Sequence, residues 1–333
     1  MEQHTTSQQS GNWQQALREA FTEPRALLHY LELDPDLPLL AARDLRHFRL
    51  RVPRGFAARM NKADPNDPLF LQVWPAPAEA TPQAGFELDA VGDSLAARTP
   101  NLLHKYHGRA LLITTGACAV HCRYCFRRHF DYHESTDKRW TQALEMVARD
   151  ATISELILSG GDPLSLSNQR LAALFGAAAR IPHLVRIRIH TRQAVVLPER
   201  IDTELLGLLE ALPMQKVCVI HANHAREIDA NVSQALQAIA RTGTTLLNQS
   251  VLLRRINDSA QALVSLSERL FSCGVLPYYV HQLDRVQGSA HFEVPDDQAR
   301  KIMEEVSAQL PGYLVPRLAR EIAGEPGKTL ISW

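Results

Sequence analysis

Three of the chain's five cysteines fall within eight residues, in the run Gly116-Ala-Cys118-Ala-Val-His-Cys122-Arg-Tyr-Cys125-Phe-Arg-Arg. A C-x3-C-x2-C run brings three thiolates to one short loop, and converging thiolates make a metal site. Structural zinc wants four closed ligands, so on that reading His121, His129 or His133 would complete the set. A 4Fe-4S cluster held by Cys118, Cys122 and Cys125 alone would leave one iron open for chemistry. Arg123, Arg127 and Arg128 make the loop polar and basic, which disfavours inert thiols. Cys218 and Cys273 stand alone in the sequence and read as buried thiols.

Three further clusters have a chemical and a bland reading. Gly160-Gly161-Asp162 follows an apolar run; a glycine pair lets backbone approach a ligand, but a tight turn with Asp162 as a helix cap has the same sequence. His104-Lys105-Tyr106-His107-Gly108-Arg109 gathers an ammonium, a phenol and a guanidinium, a set suited to a phosphate dianion or merely a solvated basic stretch. Lys328 stands in the loop Ala323-Gly-Glu-Pro-Gly-Lys328, where a lysine is ordinarily a surface charge.

The elements that must position these residues read as α/β. Short β-prone runs recur at 110–114, 155–159, 186–191, 217–222, 245–252 and 276–282. Helical periodicity fills 141–149, 170–179, 203–212, 231–242 and 260–273 between them. Six such units predict a parallel sheet, a partial (β/α)6 barrel short of the eight strands of a closed one. The unusual residues follow the runs: the cysteines, Gly160–Asp162, His221, Gln249 and Asp284. Ahead of the barrel, residues 13–34 look helical with a break at Pro24, 37–60 helical with a break at Pro53, and 65–82 a proline-rich connector. The expected organisation is a mainly helical region at 1–95, the barrel at 96–300 and a C-terminal segment at 301–333.

Composition sets outer bounds. The 333 residues carry 36 Lys+Arg against 36 Asp+Glu, with 45% hydrophobic residues, an ordinary globular balance. A neutral chain argues against bulk nucleic-acid binding as the main role. No apolar run suits a membrane span or signal peptide, and few cysteines fit a reducing cytoplasm.

Taken together, the cysteine spacing, the aromatic Tyr124 before the last cysteine and the partial barrel resemble the radical S-adenosylmethionine (SAM) superfamily. Within it, the chain from His104 to Lys328 resembles the lysine 2,3-aminomutases, through His104–Arg109, Val195-Val-Leu-Pro-Glu-Arg200, His221-Ala-Asn-His224, Asn248-Gln-Ser-Val-Leu-Leu253 and Pro277-Tyr-Tyr-Val-His-Gln-Leu-Asp284. That resemblance implies a 4Fe-4S cluster on the three cysteines and SAM on its open iron. It implies Gly160, Gly161 and Asp162 at the SAM amino group, and His221 and Gln249 facing the SAM or pyridoxal phosphate (PLP) cavity. Lys105, Tyr106 and Arg109 correspond to the PLP-holding segment and Lys328 to the lysine that binds PLP covalently. Arg127 corresponds to the partner of the substrate's α-carboxylate, and Asp284 and Glu321 to the pair that holds its ε-ammonium. Glu321 is a departure, since the family has aspartate there; a salt bridge to Arg317 or Arg320 is its bland reading. The implied reaction is isomerisation of L-lysine to (R)-β-lysine, with an external flavodoxin-like or ferredoxin-like electron donor. Only five residues follow Lys328. This compact form resembles the bacterial enzymes whose β-lysine a separate ligase attaches to elongation factor P, and implies neither a membrane nor a nucleic-acid partner. The free-lysine enzymes of catabolism or osmolyte synthesis are the alternative, and a zinc-stabilised RNA- or ribosome-binding module a more distant one.

Overall fold

In the computed structural model, residues 13–40, 48–99, 101–132 and 137–333 are described, without the side chains of Leu39 and residues 137–139; His133 lies outside them. Ten strands form one sheet whose spatial order is the chain order: β1 (Ala97–Thr99), β2 (Leu102–Tyr106), β3 (Arg109–Thr115), β4 (Glu155–Gly160), β5 (Arg186–Thr191), β6 (Gln215–Ile220), β7 (Thr245–Val251), β8 (Leu276–His281), β9 (Arg317–Arg320) and β10 (Thr329–Leu330). Pairing is parallel from β3 through β9, while β1, β2 and β10 add antiparallel edges. The six strands expected from sequence are β3 to β8. The antiparallel edges and β9 are additions that short, half-exposed runs did not signal.

Parallel neighbours need crossovers, and helices Asp137–Arg149, Asn168–Ala179, Thr203–Ala211, Ala230–Arg241 and Ala260–Phe271 supply them. Four of these begin at Ser167, Asp202, Asp229 and Ser259, whose side chains accept hydrogen bonds from free backbone N–H groups of the first turn. Their apolar faces (Leu171, Leu174, Leu205, Leu236) pack on Leu112, Leu156, Ile187 and Ile220 of the strands in one core. Because one face of the sheet is covered this way, the strands' C-terminal ends are left to build a site.

The N-terminal region departs from expectation in two places. Helices Trp13–Arg18 and Pro24–Tyr30 flank the predicted break; of the stretch 37–60, residues 41–47 lie outside the described residues, and the described remainder is not one interrupted helix. Short turns at Pro38–Leu40 and Arg54–Ala57 are the helical pieces described there, and Val52 is extended, bridging Phe21. Leu50 and Val52 are buried while Arg49 is exposed, a period of two that belongs to extended chain. Nor is 65–82 a connector. Asp67 caps the short helix Pro68–Leu71, and Leu69, Phe70, Val73 and Trp74 are buried in a second core with Ala119 and Val120 of the cysteine loop. Proline and alanine marked that segment as a linker, but its apolar residues recur at i, i+3 and i+4 and needed a partner.

Gly160 and Gly161 are required by this packing. Gly160 has φ +118°, and a Cβ on Gly161 would stand 2.4 Å from the carbonyl oxygen of Ala117. Gly161 N–H donates to Thr115 O at 2.6 Å and Asp162 N–H to Ala117 O at 2.8 Å. The glycines let the end of β4 press against the strand that leads into the cysteines. Gly161→Ala should therefore displace that loop, costing about 2 kcal/mol in urea unfolding and lowering iron content. An unchanged unfolding curve would show that the loop tolerates the methyl group.

Candidate active site

At the strands' C-terminal ends lies a cavity of about 350 Å³. Its wall includes every residue that the resemblance assigns to a site: Cys118, Cys122, Cys125, Arg127, Gly160, Gly161, Asp162, His221, Gln249, Asp284, Glu321, Lys328, Lys105, Tyr106 and Arg109; His129, an alternative zinc ligand, is not among them. Residues more than 200 positions apart meet because the sheet curls its ends around one volume.

The cysteine loop forms one side. It is tied down by Arg123 N–H to Gln72 O at 2.8 Å and His121 N–H to Arg51 O at 3.1 Å. Two of its arginines turn outward: Arg123 and Arg128 both clasp Glu79 (2.8 and 2.6 Å) and lie over the Phe48 ring. Arg127 turns inward. Burial pushes the Cys125 thiol up to about 11, with Cys122 beside it adding to the rise, and holds Cys118 and Cys122 above the ordinary range too. Three thiols this desolvated become thiolates when a compensating cation binds, so the donor set fits an iron–sulfur cluster.

Near the loop the wall carries polar atoms without protein partners: His190 Nε2, His221 Nε2, and Nε and Nη1 of buried Arg192. Buried donors of this kind call for a polar ligand. Burial pushes His221 down to about 3, so its ring is neutral, and it stands 5.7 Å from the Tyr124 ring. Behind them Gln72, Tyr124, Arg192, Asn223 and Glu227 form a hydrogen-bonded network closed to solvent, with Asn223 Nδ2 donating to Tyr124 Oη at 2.7 Å and Arg192 Nη2 to Gln72 Oε1 at 2.8 Å. Asp162 is spent on the protein itself, accepting from Leu164 N–H, Thr191 Oγ1, Arg192 N–H and Gln193 N–H. Its side chain thus fixes the loops that carry Arg192, as the cap reading expects.

From Arg127 of this loop to Lys328 the wall carries a chain of alternating charge. Lys328 Nζ donates to Glu321 Oε2 at 2.9 Å, and Lys105 Nζ to Glu321 Oε1 at 2.9 Å. Lys105 also meets Asp93 Oδ1 at 2.7 Å, and Asp93 Oδ2 accepts from Arg127 Nε at 2.7 Å. The expected bridge from Glu321 to Arg317 or Arg320 does not form; Arg320 pairs with Asp296 instead. Against the cost of burial, Lys328 and Lys105 pull Glu321 down to about 2. Burial, with Glu321 nearby, pushes Asp284 up to about 7. Tyr106 lies beside Glu321, and Arg109 lies over the Tyr106 ring at 4.7 Å. The sequence reading missed Asp93, which stands just after Gly92 at φ +66° in a stretch read as a domain boundary.

A parallel α/β sheet with a three-cysteine loop after its first parallel strand defines a radical SAM enzyme. A 4Fe-4S single cluster domain model matches residues 107–184. The fold is shared with Streptococcus suis SuiB bound to S-adenosylmethionine, at a TM-score of 0.50 and 12% identity over 66% of this chain and 51% of that one. The L-lysine 2,3-aminomutase of Escherichia coli is 48% identical over 96% of this chain and 94% of its own length. That of Haemophilus influenzae is likewise 48% identical, and that of Clostridium subterminale 30% identical over 96% of this chain but 77% of its own. The chain belongs to the L-lysine 2,3-aminomutase family. That membership sets aside the zinc module.

Because Asp93 and Arg127 are both buried, Asp93→Ala would strand a guanidinium and an ammonium together. It should cost about 3 kcal/mol in denaturant unfolding, and Arg127→Ala in the same background should recover part of that loss. Strict additivity of the two substitutions would show that the pair does not interact.

Proposed function

We propose that this chain isomerises L-lysine to (R)-β-lysine with SAM and PLP, and that the product serves modification of elongation factor P. The observation that carries the reading is the single cavity with a thiol triad on one side and Lys328 on the other. When bound, SAM on the reduced cluster supplies a radical that abstracts hydrogen, and PLP supplies the carbonyl carbon and π-system for the migrating nitrogen.

The chain's own residues divide the remaining work. Cys118, Cys122 and Cys125 hold iron, while Gly160, Gly161 and Asp162 set the loop beside it. Arg192, His221 and Gln249 face the SAM region with unpaired or neutral polar groups. Lys105, Tyr106 and Arg109 project from the β2–β3 hairpin with the charge and hydrogen-bonding capacity a phosphate needs. Lys328 sits in a Gly/Pro loop that lets its amine attach and leave. Arg127 offers a guanidinium for the substrate carboxylate, and Asp284 with Glu321 offers negative charge for its ammonium. Holding these groups around one cavity aligns the reactants. The coverage of the Escherichia coli enzyme at 94% of its length supports the compact branch of the family. An external one-electron donor and a β-lysine ligase are the partners this role requires.

Anaerobic incubation with L-lysine, SAM, PLP and dithionite should yield β-lysine, and Cys122→Ala or Lys328→Ala should abolish it. Deleting the gene should remove the β-lysyl mass from elongation factor P; a modification that persisted would overturn the pathway. Because Asp284 ionises near pH 7, KM for lysine should fall as pH rises through that value. Asp284→Asn should flatten this dependence, and a KM equally pH-dependent in that variant would place the titration elsewhere.

A further inference from the structure

β9 and β10 pair antiparallel with Thr329 opposite Arg320, so the next positions outward are Lys328 and Glu321. Their 2.9 Å contact follows from the hairpin's register. Glu321 is otherwise occupied as well: Lys105 takes Oε1 at 2.9 Å. Both lysine side chains are three-quarters or more buried, at 25% and 18% exposure, so their charges are poorly screened. A third ammonium brought to this carboxylate would face two cations at short range in a site of low dielectric.

We propose that Lys328 is the first occupant of the ammonium seat at Glu321, so that the substrate's ε-ammonium enters only after Lys328 has been drawn away. The inference rests on the proposed function, which makes Glu321 part of that seat and Lys328 the attachment point for PLP. Lys328 thereby becomes a positioning group for the substrate as well as a cofactor ligand, and loading is ordered, with PLP before lysine. Before PLP is loaded, Lys105 holds Oε1, anchored by Asp93 and by the Val91 carbonyl at 2.8 Å. Glu321 Oε2 is the oxygen that changes partners.

The test is equilibrium dialysis of radiolabelled L-lysine against the full-length, cluster-bearing protein stripped of PLP. Lys328→Ala should bind L-lysine at least tenfold more tightly than the native chain. Lys328→Arg, which keeps the cation, should bind as weakly as the native chain. The gain should vanish in Lys328→Ala/Glu321→Gln, and L-norleucine, which has the chain but no ammonium, should show no gain. Equal lysine affinity in the native chain and Lys328→Ala would overturn the proposal, as would a gain shared by norleucine or kept in the double variant. Failure of the functional reading would appear separately, as absence of β-lysine in the turnover assay, while these affinities would still be measurable.

Discussion

Charge taken into a protein interior must find an opposite charge at hydrogen-bond distance, and the cavity obeys this by running Arg127, Asp93, Lys105, Glu321 and Lys328 in alternating sign. The members come from the cysteine loop, the turn before β1, the β2 strand and the C-terminal hairpin. Their pairing therefore draws distant parts of the chain to one place. An anion approaching Arg127 would therefore share it with Asp93, and a cation approaching Glu321 would compete with Lys328.

The cluster side rests on a different constraint, backbone crowding. Gly160 and Gly161 bring the end of β4 within hydrogen-bonding reach of Thr115 and Ala117, while Asp162 gathers the loops after β4 and β5. Glu79 and Gln72, both from the N-terminal region, brace the cysteine loop from outside. Rigid support of this kind is what a site needs to hold reacting groups at fixed separations. The N-terminal region thus belongs mechanically to the active site.

Much of this was legible in the sequence, for physical reasons. Parallel strands buried under helices are runs of apolar residues with capped helices between them, and β3 to β8 announced themselves that way. The cysteine triad was legible because thiol spacing has few purposes. The antiparallel edges were not, since two- to five-residue strands are specified by their neighbours and not by their own pattern. Asp93 was invisible because a lone polar residue beside glycine reads as a turn, and Gln72 because a lone amide between apolar residues carries no pattern; the partners of both are supplied by tertiary contact. Gly160–Asp162 was recognised for its position; tertiary contact adds that the glycines permit close backbone packing and that Asp162 ties the loops together.

Lys328 lines the same cavity as the three cysteines, and the proposed function makes it the residue that binds PLP. Borohydride reduction of the PLP-loaded protein, followed by peptide mapping, tests this directly. The account predicts a single pyridoxyl group on the peptide that contains Lys328. A pyridoxyl group on Lys105 or another lysine, with Lys328 unmodified, would contradict it.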